Sequence, residues 1–100
     1  MRRIVFAPSF DQELFAISVS IQMRFGVHAA DEFEARVQRI AQMLADAPLI
    51  GTQHHGYPTT LYAHVLTPNW IFYRFTDAEV HFLHIRDGRR YKDDQSFEQA

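Results

Sequence analysis

Four of the ten basic residues, Arg86, Arg89, Arg90 and Lys92, fall inside seven consecutive positions, opposed there only by Asp87. Such a cluster can neutralise phosphates or meet an acidic protein surface, and it is also the ordinary solvated exit of a strand. Tyr91 stands within it. The chain carries six histidines, the side chains best suited to move a proton near neutral pH. His64, His81 and His84 fall in segments with strand character and are the candidate bases. A metal site is not expected, because His54 and His55 are adjacent in a loop. Strand alternation would also turn His81 and His84 to opposite faces of a sheet.

Composition narrows the setting. One hundred residues make one domain, 1–100, whose last ten, 91–100, read as a polar tail. The 47% hydrophobic content, with nine Phe, four Tyr and one Trp, is enough for a modest core. The absence of cysteine excludes disulfides and thiolate metal sites and fits a cytoplasmic setting. Charges interrupt every apolar run before it reaches the roughly 18 residues of a membrane span. The apolar start Ile4-Val5-Phe6-Ala7 stops at Pro8, too soon for a leader. Net charge is −2, and strong direct nucleic-acid binding, which usually needs a basic excess, is not expected. Nothing calls for a cofactor.

The elements follow from periodicity. Residues 2–7 are β-branched and aromatic and end at a proline, as a strand does. Ser9 with Gln12 forms a capping-box pattern, followed by Phe10, Leu14, Ile17, Ile21 and Phe25 on one helical stripe. Gly26 ends that helix as a left-handed residue would. A second helix opens with Asp31, Glu32 and Glu34 near its positive end and carries Phe33, Val37, Ile40 and Leu44. Glu32 and Arg36 are spaced to face one another on its exposed side. Pro48 and Gly51 close it. Beyond residue 52 the period becomes two, giving strands at 60–66, 70–75 and 80–86 separated by tight turns. Short connections imply antiparallel pairing. The expected fold is α+β, in the order β-α-α-β-β-β, with a helical hairpin packed on one face of a small antiparallel sheet.

Taken in order, these strings resemble the RelE/ParE superfamily of toxins from type II toxin–antitoxin systems, most closely the ParE branch. The resemblance is carried by Ile17 to Phe25-Gly26, then Ala30, Phe33, Ile40, Leu44, Pro48 and Gly51. It continues through Trp70-Ile71-Phe72-Tyr73-Arg74-Phe75, Val80-His81-Phe82-Leu83-His84-Ile85 and the basic end that follows. It implies a cognate antitoxin as partner and a toxin–antitoxin hetero-oligomer. In the ParE branch it also implies inhibition of DNA gyrase by protein–protein binding, with no catalytic residues. Arg86, Arg89, Arg90 and Lys92 are then the target-binding candidates. Tyr62, Trp70 and Phe72, on a sheet face expected to be open, are the antitoxin-binding candidates.

The RelE branch offers the alternative of ribosome-dependent mRNA cleavage, with Arg89, Arg90, Tyr91 and His84 as the catalytic candidates. That chemistry needs a base for the 2′-hydroxyl, cations for the crowded phosphate and an acid for the leaving oxygen. Trp70 stands where the RNA-cleaving branch tends to place an arginine, and residues 57–66 hold no Lys or Arg. An inactive structural partner of the antitoxin is the third reading.

Overall fold

The computed structural model describes residues 2–54 and 60–88. Strand β1 (Arg3–Phe6) leads into helix α1 (Pro8–Phe25) and helix α2 (Val27–Asp46). A single 3₁₀ turn (Pro48–Ile50) precedes β2 (Thr52–His54), β3 (Leu61–Leu66), β4 (Asn69–Phe75) and β5 (Glu79–Asp87). The five strands lie in the order β1-β5-β4-β3-β2. Neighbours are antiparallel except β1, which runs parallel to β5 from Arg3 opposite Glu79 to Phe6 opposite Phe82. The α+β arrangement agrees with the sequence reading, but the sheet is mixed and has one strand more. The added strand, β2, is three residues long, too short for a period of two to show.

Both helices begin differently from the expectation. Pro8 opens α1, and extended Ala7 precedes it without a side-chain cap. A first-turn proline lacks an N–H to be capped and already holds the helical φ. Ser9 is thereby released from capping, and its hydroxyl donates to the Leu83 carbonyl at 2.7 Å. Gly26, at φ 97° and ψ 169°, is both the end of α1 and the start of α2, a reversal only glycine makes without strain. Its ψ is extended, so it is not the left-handed helical cap expected. Because α2 already starts at Val27, its first turn contains no acidic residue. Glu32 pairs with His28 at 3.0 Å rather than with Arg36.

The helix stripes bury as their spacing implies, with one exception. Phe10, Val37 and Leu44 are almost fully buried, and Leu14, Ile17, Phe33 and Ile40 pack against them. Burial of a side chain such as Phe10 or Leu44 contributes about 1.5–3 kcal/mol. Phe25, the last of the α1 stripe, is exposed at the hairpin tip. Ala41 and Ala45 are buried in the same cluster, where small side chains let α2 approach the sheet. Phe6, Phe10 and Phe82 form a ring cluster with centroids 5.4–5.9 Å apart under α1.

Tyr73 ties this core to the segment after α2. Its hydroxyl donates to the Pro48 carbonyl at 2.5 Å and accepts the Gly51 N–H at 3.1 Å. Burial pushes the phenol up to about 12, so it remains a donor. A Cβ on Gly51 would overlap this hydroxyl, which accounts for glycine there.

The other sheet face is also buried in part. Leu61, Ala63, Phe72 and Leu83 form a second cluster, with Ala7 and Trp70 against it. The face expected to stand open is therefore only partly so: Phe72 is fully buried, whereas Val65 on the same face is 52% exposed.

Candidate functional site

Strand β1 ends its pairing at Phe82, which leaves the rest of β5 as an open sheet edge. An unpaired edge must find other hydrogen-bond partners, and α1 runs beside it and supplies them. Ala7 N–H donates to the Phe82 carbonyl at 2.9 Å, and Ser9 takes the Leu83 carbonyl. Glu13, one turn further along α1, accepts the Ile85 N–H at 3.2 Å.

Glu13 also gathers two side chains of β5. Oε1 lies 2.9 Å from His84 Nδ1, and Oε2 accepts Arg86 Nε at 2.6 Å. Burial by itself would raise the Glu13 pKa. The hydrogen bonds and charges of His84 and Arg86 outweigh it and hold the carboxyl below its ordinary value. His84 is 5% exposed, and its Nε2 is buried without a hydrogen-bond partner among the described residues. A partnered Nδ1 and an unpartnered Nε2 give an oriented imidazole, although it is closed off from solvent.

A bulge decides which side chains share this region. Phe72 stands opposite His84 but Tyr73 opposite Phe82, so Leu83 is skipped in the ladder. His81 stands opposite Arg74, and the register therefore puts His81 and His84 on the same side of the sheet as Phe72 and Arg74. This overturns the expectation of opposite faces, because one extra residue restores the parity that a separation of three would break. His81 is engaged with Glu79 at 3.0 Å. His64, opposite Ile71, is half-buried, and burial lowers its pKa. Among the described residues, no group of three or more His, Asp or Glu could hold a metal ion.

The proposed antitoxin-binding side chains are not brought together. Tyr62 stacks on Tyr73 at 5.8 Å and lies 5.1 Å from Phe75, within the helix-covered cluster. Trp70 and Phe72 stack at 6.3 Å and belong to the second cluster. Tyr62 pairs in register with Tyr73, whose parity is opposite to that of Phe72, and this separates them. Of the basic end, only Arg86 falls within the described residues, and its side chain is 18% exposed and bound to Glu13. Arg89, Arg90, Tyr91 and Lys92 lie outside the described residues.

The open feature lies elsewhere. A groove of about 870 Å³ runs between the outer halves of α1 and α2, the β3–β4 turn and the end of β5. Ile17, Ile21, Phe33 and Ile85 contribute apolar lining, and Arg24 and Arg36 contribute charge. Glu13, Arg86 and Asp87 also line it. Sequence reasoning passed over Glu13 and Arg24, although they bracket the Ile17–Ile21 part of the α1 stripe, and it named Arg36 only as a partner for Glu32.

Comparison with known proteins assigns the chain. The family model described as the ParE toxin of the type II toxin–antitoxin system parDE matches residues 4–91. The chain belongs to the ParE toxin family. Among solved structures, it is similar to a chain of a chromosomal ParDE TA system from P. aeruginosa, with a TM-score of 0.73. That likeness covers 87% of this chain and 96% of the other at 16% identity, so it speaks for the ParE fold alone. No curated protein matches the chain. None of the described helices of this ParE-family toxin is long and apolar enough to cross a membrane.

Proposed function

We propose that this chain inhibits DNA gyrase by protein–protein binding and that a cognate antitoxin neutralises it within a hetero-oligomer. The observation that carries this reading is the ParE family match over residues 4–91, a span that takes in Arg86, Arg89, Arg90 and Tyr91. The side chains described on the sheet support binding over hydrolysis. His84 is buried against Glu13, and the Tyr73 phenol, up at about 12, is spent on Pro48. Strands β3, β4 and β5 carry two cations, Arg74 and Arg86, and Arg86 is held by Glu13. In this reading the target contact is the basic end, with Arg89, Arg90 and Lys92 meeting gyrase or its cleaved DNA and Arg86 anchoring the segment's start.

The purified chain, added to gyrase and relaxed plasmid, is expected to block supercoiling, and the antitoxin to restore it. Full supercoiling at a large excess of the chain would remove gyrase as the target. Ribosome-dependent mRNA cleavage remains the second reading, drawn from one observation. Glu13 orients His84 as a general base is oriented, leaving Nε2 without a partner among the described residues, while Arg89, Arg90 and Tyr91 would supply the remaining groups. The burial of that ring weighs against it.

A further inference from the structure

We infer that the outer face of α1 is a self-association surface, on which a second copy of this chain packs antiparallel about a two-fold axis at Val19. The inference goes beyond the target reading and draws on neither the groove nor the basic end.

The two helices of the hairpin meet water differently. On α2, Asp31, Glu32, Glu34, Arg39 and Asp46 are charged and exposed, as the solvated side of a helix usually is. Residues 12–23 of α1 hold a single charge, Glu13, and that carboxylate is committed to His84 and Arg86 on β5. Phe10, Leu14 and Ile17 take the core side of α1. Phe15, Val19 and Met23 follow one another at steps of four, so they form a second stripe on the side away from the sheet. Phe15 is 70%, Val19 38% and Met23 83% exposed. A helix apolar on both sides is ordinarily covered on both sides.

The chemistry of the stripe selects its occupant. Nucleic acid needs cations for its phosphates, and a membrane-surface helix needs a border of lysine or arginine. Residues 12–23 supply neither. A two-fold axis brings each side chain near its own kind, so a charged stripe repels itself and an uncharged one does not. With the axis at Val19, Phe15 of one copy lies against Met23 of the other, twice over, because both stand four residues from Val19. Contacts between a methionine sulfur and an aromatic ring are favourable.

Area sets the strength. A large side chain carries about 150–250 Å² of surface, so the three leave on the order of 350 Å² of apolar area open per copy. With Gln12, Ala16 and Gln22 at the border, a two-fold contact covers on the order of 1,000 Å² in total. That is the lower bound for a specific interface and fits a reversible dimer of micromolar affinity.

The test is sedimentation equilibrium of the full-length chain from low to high micromolar concentration, as wild type and as Val19→Lys. Circular dichroism and melting establish that both fold. Wild type is expected to dimerise, and Val19→Lys to associate at least about tenfold more weakly, since two like charges then meet at the axis. A second measurement fixes the geometry. The chain has no cysteine, so Val19→Cys introduces a lone thiol at the axis, and mild oxidation is expected to give a covalent dimer. Met43→Cys, similarly exposed but on α2, is expected to remain monomeric under the same conditions.

A wild-type chain that stays monomeric throughout overturns the inference. So does a dimer that Val19→Lys leaves unchanged, or equal cross-linking of the two cysteine variants. Wild-type monomer whose antitoxin binding is lost in Val19→Lys also overturns it and makes the antitoxin the occupant of the stripe. None of these outcomes bears on gyrase, which the supercoiling assay reads separately.

Discussion

Glu13→Ala is expected to destabilise the chain by about 2–4 kcal/mol, measured as a loss in urea or thermal unfolding. The carboxylate accepts from His84, the Ile85 N–H and Arg86 at 2.9, 3.2 and 2.6 Å. A hydrogen bond to a charged group contributes about 1.5–3 kcal/mol, and breaking a buried ion pair costs about 3–5. Glu13 keeps 26% of its side-chain exposure, so water recovers part of that loss and the total falls in the lower range. For a chain of this size the expected fall in Tm is roughly 10–25 °C. Glu13→Gln retains the shape and one good acceptor, and it should recover a portion of the deficit.

The same residue gives a pH dependence of definite sign. The folded-state pKa of Glu13 lies below the ordinary 4.5. Its pairing therefore stabilises the fold fully above 4.5 and is lost as pH falls through the lower folded-state value. Wild type should lose stability on acidification through that window more steeply than Glu13→Gln. Parallel pH profiles for the two proteins would show that Glu13 does not hold the β5 edge through its charge.

Arg89→Glu combined with Arg90→Glu is expected to abolish toxicity while antitoxin binding persists. The expectation follows from placing the target contact at the basic end. Replacing two cations by two anions reverses the charge of that contact, costing several kcal/mol or about a hundredfold or more in target affinity. Antitoxin affinity should change little, because this account assigns Arg89 and Arg90 to the target contact and not to the antitoxin. Growth on inducing plates and a titration with the antitoxin read the two effects separately. Toxicity retained in the double variant would remove the basic end from the mechanism.

Much of the fold was legible because its signals are local. The stripes Phe10-Leu14-Ile17 and Phe33-Val37-Ile40-Leu44 need only helical periodicity, and both bury as their spacing implies. The features that escaped depend on contacts distant in sequence. Ser9 looks like a cap until Leu83 stands beside it, 74 positions away. The bulge at Leu83 has no marker such as glycine, yet it decides which face His84 takes. Trp70 and Phe72 share a face by simple alternation, but their relation to Tyr62 depends on the β3–β4 register, which alternation within one strand does not carry. The groove is the extreme case. Its sides come from α1, α2, the β3–β4 turn and β5, spread from Glu13 to Asp87, and local periodicity does not bring them together. The basic cluster at 86–92 was visible at once, although the commitment of Arg86 to Glu13 was not.

The central claim is that this ParE-family chain acts on the replication machinery. Pulse labelling after induced expression without antitoxin, following DNA and protein synthesis in parallel, tests it most directly. The account predicts that DNA synthesis falls first while protein synthesis continues. Protein synthesis falling first would contradict it and turn attention to His84, Arg89, Arg90 and Tyr91 as catalytic groups.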